Sequence, residues 1–268
     1  MTVDLESYFA RIGWTGARDT TRATLASLLE AHVRRIPFEN LDVLLGDKPR
    51  LDLPTLAAKL VGARRGGYCY EHATLFAAVL EQLGFAVQRH SARVIGTMPK
   101  HSAPRTHMFL TTVIDSERVV VDPGFGGLTP RVPVPLDGAQ VRFGSDEHWI
   151  ARDADGEYAL IARTPQGERT AWVSSLATDV PIDFELANHY TATHPASPFT
   201  QRLFLRAFTD DGRVTVVNRD VTVYRGDQPM ERYALANRAA LRELMVRAFG
   251  FDLPALLGVR VPMIPEWT

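Results

Sequence analysis

The apolar residues of this chain change their spacing at Gly84 and return to the helical period only near the end, from 237. Ahead of Gly84 they recur every three or four residues; beyond it they alternate or fall in short β-branched runs. That change predicts an α+β chain, helices first and antiparallel strands after. In residues 21–36, Leu25, Leu28, Leu29, His32, Val33 and Ile36 make a single stripe that Pro37 ends. Residues 54–61 read as a second helix, with Pro54 in its first turn. Leu75, Phe76, Val79, Leu80 and Leu83 share one face of a third, which stops at Gly84 and has Cys69 among its first residues. Strands are predicted at 85–94, 108–114, 119–122, 141–143 and 158–161, with a weaker signal at Trp172-Val173. Asp115-Ser116 and residues 153–157 supply turns. Strands at such spacing predict a small barrel or sandwich. Pro195 and Pro198 mark an irregular connection. Runs 204–208 and 213–217 flank Asp210-Asp211-Gly212 as a hairpin, and a last helix covers 237–249. The tail from Arg260 to Thr268 has no helical period.

Composition removes several function classes. With 46% hydrophobic and 23% charged residues over 268 positions, the chain can build a core without disulfide or metal staples. Thirty basic residues against thirty-one acidic ones leave a net charge of -1, which gives no support to broad binding of nucleic acid or anionic membrane. Cys69 is the only cysteine, so no intramolecular disulfide and no Cys-rich zinc site can form. A lone thiol suits a reducing cytosol. The first residues lack the apolar stretch of a signal peptide, and no apolar run approaches the roughly 20 residues of a membrane span. The expectation is a cytoplasmic protein without a membrane partner.

Cys69 follows Arg64-Arg65-Gly66-Gly67 and opens a helix. Free cysteines are usually small buried hydrophobes. At a helix start, however, backbone N–H groups and the dipole favour a thiolate, and two glycines allow another backbone or a substrate to come close. A cysteine nucleophile needs a base, and the base an orienting group. His107 heads one predicted strand and Asp122 ends the next, fifteen residues on. If the two strands pair antiparallel, His107 and Asp122 meet at the sheet edge, in the manner of a Cys–His–Asp triad. Gly124-Phe125-Gly126-Gly127 lacks the features of a nucleotide loop. His72 with Cys69, and His189 with His194, carry no further pattern of a metal site, and no metal is expected.

Five segments resemble the arylamine N-acetyltransferases: Pro37-Phe38-Glu39-Asn40-Leu41-Asp42-Val43, Arg64-Arg65-Gly66-Gly67-Tyr68-Cys69-Tyr70-Glu71, Arg105-Thr106-His107-Met108, Val121-Asp122-Pro123-Gly124-Phe125-Gly126-Gly127 and Tyr190-Thr191-Ala192-Thr193-His194-Pro195. They occur in the family's order over nearly the whole chain. The resemblance implies an N-terminal helical bundle (1–83) carrying the nucleophile, a central antiparallel β-barrel (84–190) carrying His and Asp, and a C-terminal α/β lid (191–268). The triad carries over as Cys69, His107 and Asp122. Phe38, Phe125 and Phe204 are implied at the acceptor pocket, and Gly124, Gly126 and Gly127 beside the thioester and pantetheine. The implied co-substrate is acetyl coenzyme A, or another short acyl thioester, with no metal and no bound prosthetic group. The implied acceptor is a small aromatic amine or hydrazine. Two departures stand out: Ala73 where the family usually has Asn, and Pro123 where it usually has a small or aliphatic residue. Alternatives are an amide synthase of the same fold that releases a polyketide chain from a carrier protein, a papain- or transglutaminase-like hydrolase, and a non-catalytic binding module.

Overall fold

The computed structural model describes residues 2–96, 98–164, 167–210, 212–226, 228–264 and 266–267. Asp211 in the expected turn, and Pro265 and Thr268 in the tail, lie outside the described residues. Helix α1 (Leu5–Ile12) starts where the Asp4 carboxylate accepts from the Glu6 and Ser7 N–H groups, and it ends at left-handed Gly13. Helix α2 (Arg22–Arg35) is capped by the Thr21 hydroxyl on the Thr24 N–H. A two-residue strand β1 (Phe38–Glu39) follows, then short helices α3 (Leu41–Leu44) and α4 (Leu53–Leu56). A π-helical segment, Ala57–Gly62, extends α4. Helix α5 (Cys69–Gln82) is buried along most of its length. Leu25, Leu28 and Leu29 of α2 and Leu75, Phe76 and Leu80 of α5 have no exposed surface and form the centre of the first core.

The strands then build two antiparallel sheets. The first has the order β2 (Val87–Ala92), β3 (His107–Ile114), β4 (Glu117–Val121), β5 (Val134–Pro135). The second runs β6 (Val141–Phe143), β7 (Asp146–Arg152), β8 (Tyr158–Thr164), β9 (Gly167–Ser174). Arg93 and Val173 exchange both backbone hydrogen bonds and join the sheets at one point. Phe109, Val120, Ile150, Leu160 and Trp172 fill the space between them. Strand pairing among the described residues does not close the sheets into a ring.

Helix α6 (Pro181–Thr193) lies ahead of Pro195, and Pro198 opens short helix α7 (Pro198–Gln201) in the expected irregular connection. A third sheet then forms from β10 (Phe204–Phe208), β11 (Gly212–Val217), β12 (Asp220–Arg225) and β13 (Glu231–Ala234). Strand β1 pairs with β10 at its edge, Phe38 opposite Arg206 and Glu39 opposite Leu205. Helix α8 (Arg238–Leu244) continues through Met245–Phe249 to left-handed Gly250. The tail packs Val259, Val261 and Trp267 into the third sheet's core. Among the described residues no helix is long and apolar enough to cross a membrane.

Candidate active site

The segment before α5 is fixed from both sides. The Gly67 N–H donates to Pro37 O at 3.2 Å, and the Glu39 N–H donates to Gly67 O at 2.9 Å. A Cβ on Gly66 would lie 2.1 Å from Pro37 O, so only glycine lets these backbones approach. At the helix start the Glu71 carboxylate reaches back to accept from the Tyr68 N–H at 3.1 Å. Cys69 is therefore the first residue of a well-anchored helix, 3% exposed, with Sγ 3.7 Å from Thr106 O.

The anchor rests on buried charge. Lys59 Nζ lies 2.7 Å from both Glu71 and Asp42. Arg65 pairs with Glu39 at 2.7 Å and Asp42 at 2.5 Å. Burial, with Glu39 nearby, pushes the Glu71 carboxyl up to about 7 against the pull of Lys59. Lys59→Met is expected to destabilise the fold by about 3–5 kcal/mol near pH 8, because Glu71 is left as an uncompensated buried charge. The deficit should shrink toward pH 6, where Glu71 takes up a proton and the charge disappears. Urea unfolding at the two pH values checks this, and an equal deficit at both would remove Glu71 from the explanation.

One turn beyond Cys69, His72 Nε2 faces Gly67 O at 3.1 Å and Pro37 O at 3.2 Å. Both are acceptors, so Nε2 carries the proton and Nδ1 accepts. His32 Nε2 then donates to it at 2.9 Å, and Tyr8 O–H donates to His32 Nδ1 at 2.7 Å. Burial holds His72 down to about 4 and His32 well below the usual imidazole range, so both rings are neutral. Both ring nitrogens of His72 are thus engaged by backbone and by His32. Ala73, one of the two departures from the family pattern, is wholly buried in the first core.

The β3–β4 register, with Leu110 opposite Val121, brings the head of β3 and the end of β4 to the same sheet edge. There His107 Nε2 donates to Asp122 Oδ2 at 2.8 Å, both side chains buried. Burial alone would lower the His107 pKa. The Asp122 charge and hydrogen bond, helped by the nearby Cys69, outweigh it and push it up to about 10. Asp122 also accepts from Trp172 Nε1 at 2.9 Å and from the Gly124 N–H at 3.2 Å. Trp172 stacks on Phe109 with centroids 4.1 Å apart, which fixes the indole that holds the carboxylate. The sequence offered only a weak strand there, since an isolated Trp-Val pair carries no period.

The structure therefore sets His107 against Asp122 and places Cys69 and His107 on the wall of one cleft. Gly124 lies against the first turn of α5: a Cβ on it would sit 2.8 Å from Cys69 Cα. Phe125 stands edge-on to His107, with centroids 5.0 Å apart. Beside Cys69 opens a cleft of about 140 Å³. Phe38, Phe125 and Phe199 line it, with Tyr190 and Thr191 from α6 and Thr106 from the β2–β3 connection. Phe204 is not on this wall; it packs behind Phe199, with centroids 5.5 Å apart. Nor do Gly126 and Gly127 line the cleft. Gly126 backs onto the Phe38 ring, and Gly127 borders a separate cavity. Phe199 and Tyr190 were missed as wall residues, although the run 190–195 belongs to a segment that resembles the family.

Comparison with known proteins adds to this geometry. The profile of the N-acetyltransferase family matches residues 21–257. The chain belongs to the arylamine N-acetyltransferase family. The arylamine N-acetyltransferase of Mycobacterium tuberculosis strain H37Rv is 38% identical over 259 residues, covering 94% of this chain and 91% of the relative. That of Escherichia coli K12 is 35% identical over 254 residues, covering 94% and 90%. The solved structure of the Mycobacterium marinum arylamine N-acetyltransferase in complex with CoA superposes with a TM-score of 0.89 at 32% identity, covering 98% of this chain and 99% of that one. The expected α+β class thus agrees with the family's solved members.

Proposed function

We propose that the protein moves an acetyl or other short acyl group from acetyl coenzyme A to the nitrogen of an arylamine or arylhydrazine, through an acyl-enzyme on Cys69. The observation that carries this reading is the buried His107–Asp122 pair, with His107 and the helix-start Cys69 both lining one aromatic cleft. The names of the relatives, and the CoA bound to one of them, support the donor and acceptor classes.

In this reading His107 holds the proton of Cys69, and Asp122 stabilises the imidazolium and fixes its orientation. The thiolate attacks the thioester carbonyl, and N–H groups of the first turn of α5 receive the developing oxyanion. The carbon–sulfur bond of the donor breaks, and the departing thiolate takes the proton from His107. The amine then attacks the acyl-cysteine, its proton passes to His107, and the carbon–sulfur bond to Cys69 breaks, which releases the amide and restores the thiolate beside the imidazolium. A neutral arylamine enters a cleft walled by Phe38, Phe125 and Phe199 without desolvating a charge, which an alkylammonium cannot do. Gly124 lets the loop lie against α5. Residues 1–83 supply the nucleophile, 84–190 the base and its orienter, and 191–268 the outer wall, with α6 crossing the boundary at 190. The reading places the enzyme in the cytoplasm, where its thiol stays reduced.

Release of coenzyme A from acetyl, propionyl and malonyl thioesters, measured with a panel of arylamines and hydrazines, tests the assignment. Use of a carrier-protein-bound chain with none of these donors would select the amide synthase instead. Phe125→Ala is expected to weaken the arylamine step roughly tenfold or more, through lost ring contact, while acylation by the thioester changes less. Equal loss in both half-reactions would take Phe125 out of the acceptor site.

A further inference from the structure

Arg206 on β10 is 5% exposed, and its guanidinium makes no hydrogen bond or ion pair among the described residues. Its Nε is enclosed without a partner. What it has is the face of Phe208, 4.3 Å from Cζ to the ring centroid. The unpaired group borders a small cavity of about 20 Å³ between the third sheet, the β7–β8 pair and the loop 127–129. The other charges there are matched. Arg213 holds Asp146 at 2.7 Å, and Arg163 holds Glu147 at 3.0 Å and Glu168 at 3.1 Å. His148 spends Nε2 on Leu128 O at 3.0 Å. Nearby Arg131 is paired with Glu30 at 2.7 Å. These four arginines and four carboxylates balance in number, but among the described residues no carboxylate pairs with Arg206, the most buried of the four arginines.

We propose that this cavity binds one small anion, held by the Arg206 guanidinium and bracing the loop 127–129 against β10 and β11. A buried cation without a counter-charge is costly, and a cavity of this size admits one particle of water size or a little more. A water would satisfy the enclosed N–H but leave the charge unmatched. Burial, followed by Arg213 and partly offset by Asp146, already pulls the Arg206 pKa down to about 9, which is the electrostatic cost that an anion would relieve. The inference does not depend on the acyl-transfer reading, since none of these side chains touches Cys69, His107 or Asp122. It does bear on that site, because residue 127 continues the loop that carries Asp122, Gly124 and Phe125.

A halide ion is close to the size of that cavity, whereas a phosphate is too large for it. The test is thermal unfolding at constant ionic strength, with sodium gluconate exchanged for sodium chloride. Chloride is expected to raise Tm saturably, by roughly 3–5 °C at tenfold Kd. Arg206→Met abolishes the rise, and the variant, relieved of a buried charge, folds and retains acyl transfer. Bromide-soaked crystals of the unaltered protein give a readout that needs no variant, an anomalous peak beside the Arg206 guanidinium. No anion-specific rise in Tm, together with no bromide at Arg206, overturns the proposal. A rise that persists in Arg206→Met overturns it equally.

Discussion

Mixed with acetyl coenzyme A and no amine, the protein is expected to gain the mass of one acetyl group, on Cys69 alone. It should lose that mass when an arylamine is added, and the steady state should be ping-pong. Cys69 is the single thiol and lines the same cleft as His107, so no second cysteine competes for the label. Cys69→Ala should leave no turnover above background. Cys69→Ser should do nearly as badly: a hydroxyl is a far weaker acid than a thiol, and His107, with Asp122 beside it, is set to keep its proton rather than to take one from serine. Iodoacetamide should label the unacetylated protein well below pH 8 and fail after acetylation. If amide product forms while mass spectrometry finds no modified Cys69 with any acyl thioester, transfer is direct and the covalent route is wrong.

Asp122→Asn is the second large effect. Turnover should fall by about four orders of magnitude, as when the orienting carboxylate of another triad becomes an amide. The local geometry gives a specific reason. Asp122 Oδ2 accepts from both His107 and Trp172, while Oδ1 accepts from the Gly124 N–H. An amide nitrogen at either position sets a donor against a donor, at a cost of about 1–3 kcal/mol in stability. His107 also loses the charge that raises it to about 10 and should titrate several units lower. NMR titration of the His107 ring separates this from a general loss of fold. A folded variant with parental turnover and an unmoved ring would end the role assigned to Asp122.

The sequence was most legible where one element decides its own shape. The stripe 21–36 and the face from Leu75 to Leu83 are long and periodic, and both are helices, α2 and α5. Helix α1 was missed although Leu5, Tyr8, Phe9 and Ile12 carry the spacing, because eight residues give the pattern barely two turns. Helix α6 lacks a clean stripe for another reason: Ile182 and Leu186 are apolar yet exposed, and prolines follow the helix at 195 and 198. Strands β7 and β9 depend on partners elsewhere in the second sheet, so their polar stretches gave no local signal. At the site, the meeting of His107 with Asp122 was readable from strand order. Trp172 and Phe199 were not, because each reaches the site across a contact with residues far away in the chain.

The two residues of β1 have a consequence for biosynthesis. Phe38 and Glu39 are hydrogen-bonded on one side to Gly67, just ahead of the cysteine, and paired on the other with β10. Asn40 continues the tie, donating to Phe199 O and Arg202 O and accepting from the Phe204 N–H. On the ribosome, the cysteine and the strand beneath it emerge long before residues 199–206 exist to complete their surroundings. Closing that gap means pairing residues far apart in the chain, a slow step in folding. The nascent polypeptide thus carries its one oxidisable thiol through most of translation without its final cover, and a chain that stops short of β10 leaves it so.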